Sequence, residues 1–287
     1  MAKQTAERAT RGVDLSGKTA LVTGINSGIG FETMRVLALR GAHVLGTART
    51  LEKASEACAR IPGENTPLEC ELTDLDSIRE CVMRVTRETP ELDIVVANAG
   101  IMALPKLEQV RGIEKQFATN HLGHFKLLTS LQDRLTARSR VAVVSSAAHA
   151  QAPASGIDFD NLSGENGYSP WRAYGQSKLA NILFANAFAE RVPDGCTVNS
   201  LHPGIIQTNL GRNMQGPLTW MMGLVMWPFM SSIEQGAATS CYVVANPATE
   251  GVTAKYFADC AQTRVSSKAR DHELGQRLWE VSEQLTN

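Results

Sequence analysis

KTALVTGINSGIGFETMRVLALRG, residues 18–41, is the stretch that decides the fold. It opens with a short apolar, β-branched run of the kind that forms a strand buried on both faces. A glycine-rich turn, Thr23 to Gly30, follows. Beyond it apolar residues return every three or four positions, the period of an amphipathic helix, until Gly41 stops the helix. A strand that passes through such a turn directly into a helix is the opening unit of a dinucleotide-binding α/β sheet. Gly24, Gly28 and Gly30 stand where side chains would obstruct a ligand, with Asn26, Ser27 and Ile29 between them. Free backbone N–H groups and the helix dipole there suit a pyrophosphate. A tight turn with no ligand is the plainer alternative.

Outward from this unit the alternation continues. AHVLGTA (42–48), ELDIVVANAG (91–100) and SRVAVVSSA (139–147) read as further buried strands. Helical periodicity fills 51–61, 74–88 and 112–131, then Tyr174 to Arg191 and 233–245, with strands at 197–204 and 254–257. Right-handed crossovers turn this order into an α/β fold: a single-domain, Rossmann-type, doubly wound parallel sheet with helices on both faces. The domain is expected over 16–287, after a flexible polar leader at 1–15. Two long irregular segments, about 147–172 and 204–232, follow strand ends, where open α/β sheets bind ligands.

A formal charge of −1 over 287 residues gives no global attraction to nucleic acid, and neither nucleic acid nor a metal is expected as a partner. The six cysteines are scattered without CxxC pairs, which points to a reducing, cytoplasmic compartment and away from zinc or a disulfide framework. The leader lacks the apolar core of a signal peptide. The one long apolar stretch, PLTWMMGLVMWPFM at 217–230, falls short of the ~20 residues a membrane-spanning helix needs.

Where a cofactor with a free ribose 2′-hydroxyl usually meets an acid, at the end of the second strand, this chain has GTART. Arg49 supplies a cation able to hold a 2′-phosphate through several N–H donors, so NADP(H) is expected over NAD(H). A solvated loop arginine is the alternative. Asp74 is placed to cap the following helix, a role compatible with a place in the site.

Tyr174 and Lys178, in AYGQSKLAN, lie four apart and leave one face of their helix. A cation beside a phenol favours the phenolate, and moving its pKa from near 10 toward 7 takes roughly 4 kcal/mol. Such a tyrosine can exchange protons with an alcohol oxygen. Ser145 and Ser146 end a buried strand, where one hydroxyl can support a substrate oxygen. Taken alone, either motif is common for structural reasons.

Together, TGINSGIG, ANAG (97–100), Asn120, VVSSAAH, YGQSK and HPG resemble the motifs of the short-chain dehydrogenase/reductase superfamily over almost the whole chain. ATNHLGHF, SSAAHA and YGQSKLANILF are similar to its retinol-dehydrogenase-like, WW-domain-containing-oxidoreductase-like branch. The resemblance implies that Tyr174 is the general acid or base and that Lys178 binds the nicotinamide ribose and lowers the tyrosine's pKa. It implies that Ser146 orients the substrate oxygen and that Asn120 helps hold a proton-relaying water. Asn98, Ala99 and Gly100 would line the cofactor's ribose side, Asp74 and Leu75 the adenine, and Pro203, Gly204 and Thr208 the nicotinamide. His121, His124 and His202 gain no role. Ser146 precedes Tyr174 by 28 residues, about twice the separation in many members, and Trp171 in this insert either borders the substrate or anchors the loop.

The methionine-rich 217–230 stretch is expected to be a lid over an apolar substrate, with packing into the core, a subunit contact or a membrane-surface contact as alternatives. The expected activity is hydride transfer between NADP(H) and a hydrophobic aldehyde, ketone or alcohol, of retinoid-like or steroid-like class. A non-catalytic NADP(H)-binding redox sensor and a cofactor-retaining epimerase or dehydratase are the rival readings. A homodimer or homotetramer, paired through the long catalytic helix as in related enzymes, is expected.

Overall fold

The β-branched runs pair with one another because each is apolar on both faces and too short to be buried any other way. The computed structural model describes residues 4–204 and 231–287. The first four strands are β1 (Thr19–Thr23), β2 (His43–Ala48), β3 (Asn65–Glu69) and β4 (Leu92–Ala97). A two-stranded hairpin, β5 (Gln109–Val110) and β6 (Ile113–Glu114), stands apart. Then come β7 (Leu135–Val144), β8 (Thr197–His202), β9 (Tyr256–Ala258) and β10 (Ala261–Gln262). The main sheet runs β3-β2-β1-β4-β7-β8-β9-β10, parallel throughout except for β10 on β9. The chain moves outward from β1 to β3 and then returns to the other side of β1, so the topological switch lies between β1 and β4. The sheet's carboxyl ends open there into the crevice in which such folds bind ligands.

Alternate side chains of each strand feed two cores. Ala20 and Val22 of β1, with Ile94 and Val96 of β4, meet Met34 and Leu37 of α2 (Gly28–Leu39), Ala54 of α3 (Leu51–Cys58) and Val243 and Val244 further on. Leu21 and Val95 face the opposite way, onto Ile78 and Val85 of α4 (Leu75–Glu88) and a set of phenylalanines. The single-domain, doubly wound fold expected from the sequence is therefore present. Pro67 sits in β3, the sheet's edge, where a missing N–H is tolerated.

Three segments depart from expectation. The leader is not frayed from residue 4 onward: α1 (Ala6–Ala9) is capped by Thr5 and buries Ala6 against Val36, Ala237 and Cys241. Arg35 pairs with Glu7 at 2.6 Å, and Asn246 Nδ2 donates to Ala9 O at 2.7 Å. Small alanines fitting between helices leave no amphipathic signature, so the polar composition misleads. The 147–172 insert is packed too, Ile157 and Leu162 joining Leu179 and Ile182 in a third apolar cluster. It delivers the chain into α7 (Pro170–Ala189), which begins four residues before Tyr174, with Pro170 in its first turn.

Following α8 (Ile233–Ala245), the chain ends in a helix the strand-by-strand reading did not anticipate, α9 (His272–Thr286), capped by Asp271. Trp279 of α9 lies edge-on to Phe125 at 4.9 Å and stacks on Phe184 and Phe188 of α7, with the Arg191 guanidinium 4.2 Å from its ring centre. This face of α7 is covered within the chain. Subunit pairing through it, as expected from related enzymes, would first have to displace α9.

The packing of α1 predicts that Ala6→Glu, which forces a carboxylate into a site with no exposure, lowers stability by on the order of 2 kcal/mol. A urea unfolding midpoint compared with wild type checks this, and an unchanged midpoint would mean that the leader is only loosely attached.

Candidate active site

The glycine turn is held from behind and open in front. Gly24 N–H and Ile25 N–H both donate to Thr47 O of β2, at 2.8 and 3.0 Å. Gly24 has φ +74, and a Cβ there would lie 2.9 Å from Ala99 Cα. A Cβ at Gly30 would overlap Gly24 O, so the third glycine lets α2 start directly against the turn. Ser27, the residue before α2, makes no side-chain capping bond. The leading amides of α2 are thus left for another acceptor, beside the exposed Asn26 and Ser27 and the half-buried Ile29.

The neighbouring strand end locks onto the same turn. Thr23 Oγ1 accepts from Asn98 N and Ala99 N, each at 2.9 Å, and Asn98 Nδ2 donates to Thr23 O at 2.8 Å. Gly100 follows, exposed, where a Cβ would come within 3.0 Å of Asn120 Oδ1 and 3.4 Å of Lys178 Nζ. The ribose-side turn and the catalytic candidates therefore line one continuous groove. Arg49 is exposed at the end of β2 and engages no partner among the described residues. Glu69 on adjoining β3 accepts from Leu51 N at 3.1 Å, an acidic group near that end of the crevice. Asp74 caps α4 through Asp76 N at 2.9 Å, and Leu75 is half-buried beside it.

Asn120 lies in a π-helical turn, Ala118–Leu122, between the short α5 (Lys115–Phe117) and α6 (Gly123–Ser130). Such wide turns are frequent at functional sites. Its amide reads Ile101 as a strand would: Oδ1 accepts from Ile101 N at 2.8 Å and Nδ2 donates to Ile101 O at 2.9 Å. Nδ2 also reaches Ser177 Oγ at 2.9 Å, and Ser177 Oγ in turn donates to Tyr174 O at 2.8 Å.

The structure separates the two serines. Ser145 is buried and donates to Lys178 O at 2.7 Å, tying β7 to α7. Ser146 is half-exposed, its hydroxyl accepts from Ala148 N at 3.2 Å, and it lies near enough to the Tyr174 phenol to lower its pKa. Tyr174 and Lys178 share a face of α7, with Lys178 Nζ 5.8 Å from the phenol ring centre and donating to Val144 O at 3.0 Å. Trp171, one turn earlier, meets Tyr174 edge-on at 6.2 Å and is 37% exposed. It lies beside the catalytic tyrosine and is not among the residues of the apolar cluster that packs the insert.

Residues 18–217 match the sequence profile of the family described as short chain dehydrogenase. The chain belongs to that family. It is 38% identical to human retinol dehydrogenase 14, across 96% of this chain and 89% of the relative. To the human WW domain-containing oxidoreductase it is 39% identical, across 98% of this chain and 71% of the relative. Among solved structures, that of an uncharacterized protein from Mycobacterium Paratuberculosis superposes with a TM-score of 0.79 at 31% identity, covering 99% and 98% of the two chains. The retinol-dehydrogenase-like, WW-domain-containing-oxidoreductase-like resemblance read from the sequence motifs agrees with these relatives.

Short-chain dehydrogenases bind nicotinamide cofactors, and the residues present fit one. The cradle that a Cβ at Gly24 or Gly30 would fill, the uncapped α2 and the opening at Gly100 supply the shape and the donors. Pro203 and Gly204 leave β8 at the same crevice, while Thr208 and the 217–230 stretch lie outside the described residues. No three potential metal ligands cluster among the described residues.

Burial pushes the Tyr174 phenol up, the Ser146 hydrogen bond only partly opposing it, and not down toward neutrality. Burial also brings Lys178 down to about 8, so desolvation limits the charge that was expected to stabilise a phenolate. The residue that sequence reasoning passed over is His124. Its only signal is the four-residue spacing from Asn120, which puts both on one helix face.

A lysine whose pKa is lower folded than unfolded destabilises the fold below that value, and the loss is recovered as pH rises from about 8 toward the ordinary 10.5. The stability of wild type relative to Lys178→Met should therefore rise across that window, by at most about 1.4 kcal/mol per pH unit. Urea titrations of both proteins at pH 7 and pH 9.5 measure it, and a pH-independent difference would show that Lys178 is not desolvated.

Proposed function

We propose that this short-chain dehydrogenase is an NADP(H)-dependent oxidoreductase that transfers hydride to or from a hydrophobic aldehyde, ketone or alcohol, with Tyr174 as general acid or base. The observation that carries the reading is the convergence of Ser146, Tyr174 and Lys178 beside the opening at Gly100. When bound, the cofactor supplies or accepts the hydride at its nicotinamide ring.

In the reducing direction Tyr174 donates its phenolic proton to the substrate oxygen, and the reverse transfer serves oxidation. Burial keeps that proton on Tyr174 in the free protein, which suits the acid role. Ser146 directs its hydroxyl at the same oxygen and stabilises the charge that grows there. Lys178, poised on Val144 O at 3.0 Å, is placed to hold ribose hydroxyls and to favour loss of the phenol proton once the site is filled. Asn120 keeps the Ile101 backbone and, through Ser177, the catalytic helix in register. Holding a proton-relaying water is a further proposed role for Asn120.

Arg49, with no partner among the described residues, is the proposed anchor for the 2′-phosphate. Asn26, Ser27, Gly28 and Ile29 would offer the pyrophosphate its amides, and Asp74, Leu75, Pro203, Gly204 and Thr208 would line the remainder of the cofactor. An apolar substrate is supported by Trp171 beside Tyr174, by the methionine-rich 217–230 sequence and by the apolar alcohol in the name of retinol dehydrogenase 14. The six unpaired cysteines support a reducing, cytoplasmic setting.

Absorbance at about 340 nm with NADPH or NADH across hydrophobic aldehydes and ketones tests the proposal. Tyr174→Phe should lower turnover by at least about 100-fold while folding normally. Arg49→Glu should shift preference from NADPH toward NADH by about tenfold or more, the loss of a charge-assisted hydrogen bond to phosphate. NADPH binding without turnover of any substrate would favour a redox sensor, and turnover without net cofactor consumption an epimerase or dehydratase.

A further inference from the structure

Two histidines of the 112–131 helical segment are fully buried, and they sit in contrasting surroundings. His121 lies among the rings of Phe117, Phe125 and Phe184, bonds Ser282 Oγ through Nε2, and leaves Nδ1 without a partner. It is a core residue. His124 uses both nitrogens: Nε2 contacts Thr23 Oγ1 at 2.9 Å, and Nδ1 contacts Asn120 O at 3.0 Å.

The direction of these bonds follows from counting donors. Thr23 Oγ1 already accepts two backbone N–H groups, from Asn98 and Ala99, which occupy its two lone pairs. Its single proton must therefore go to His124 Nε2. The ring then carries its proton on Nδ1 and donates it to the Asn120 carbonyl. Burial keeps the imidazole neutral by holding its pKa to about 4.

We propose that His124 is a positioning residue that couples the cofactor cradle to the catalytic helix in a fixed tautomer. On one side it orients the Thr23 hydroxyl, from which the Asn98–Ala99 turn hangs. On the other it fixes the Asn120 backbone inside the π-helical turn, and the Asn120 side chain holds Ile101 and, through Ser177, the carbonyl of Tyr174. Unlike His121, His124 has both ring nitrogens engaged, one by each of the two segments it joins. The coupling rests on the oxidoreductase reading for its kinetic half and on cofactor binding alone for the other half.

The two arms can be cut separately. Asparagine places an amide near the position of Nδ1, so His124→Asn keeps the Asn120 bond and loses Thr23. Glutamine reaches the position of Nε2 with an oxygen, so His124→Gln keeps Thr23 and loses Asn120. His124→Asn should raise the NADPH dissociation constant, read by fluorescence titration, about tenfold with kcat within about threefold of wild type. His124→Gln should do the reverse. Equal losses in both readouts, or no change in either, would overturn the coupling and return His124 to the core. If a substitution prevents folding, nitrogen–proton correlation NMR of the wild-type ring decides instead: an Nδ1–H tautomer is expected, and an Nε2–H tautomer refutes the relay. Because NADPH affinity is measured without a substrate, absence of turnover would sink the oxidoreductase reading and leave the binding arm still decisive.

Discussion

The chains leaving β1 and β4 approach one another so closely that Gly24 has no room for a Cβ against Ala99, and the remainder of the site depends on that approach. It is a consequence of the topology: strands on either side of the switch point send their connections in opposite directions, and the cleft between them is where a ligand can reach backbone amides. Three hydrogen bonds from the Asn98–Ala99 segment to Thr23 close the bottom of the cleft. Gly30 then lets α2 begin without standing off from the turn, so the helix dipole points into the space that remains.

At the other end of the groove the chemistry is bought by desolvation. Burying a lysine and a phenol together disfavours the charged form of each, which is why the free protein holds Tyr174 protonated and Lys178 only weakly basic for its type. The fixed dipoles around them are the compensation. Lys178 and Asn181 both donate to Val144 O at 3.0 Å, and Ser145 returns a bond to Lys178 O, so strand β7 and helix α7 are stitched at the point where reactive groups project. Such a preorganised site requires little rearrangement to act on a reacting oxygen.

Much of this was legible in the residues. The β-branched runs, the glycine turn and the Tyr174–Lys178 spacing carry strong local signals, because sheet burial, a steric exclusion and a helical period each leave a mark on neighbouring positions. The residues alone left Ser145 and Ser146 equivalent and only the family resemblance singled out Ser146, since the direction in which each leaves β7 is what separates the strut from the reactive hydroxyl. The α1 leader was misread because alanine packing has no periodic contrast. The burial that raises the Tyr174 phenol is a property of the whole fold and not of a four-residue spacing. The role of His124 depends on a hydrogen bond between residues about 100 positions apart, from Thr23 to His124, which no local pattern encodes.

The wide turn at Ala118–Leu122 has a consequence for how this segment can vary. A π turn holds one residue more than an α-helical turn of the same rise, and here it absorbs that residue between α5 and α6. Removing any single residue between Lys115 and Gly123 would heal the hydrogen-bond ladder and make a better helix. The flanking helices would keep their places, because the wide turn already absorbs the surplus residue; what would be lost is the widened backbone at which Asn120 meets Ile101. The defect in regularity therefore serves the backbone at Asn120 and not the relative phase of the two helices it joins.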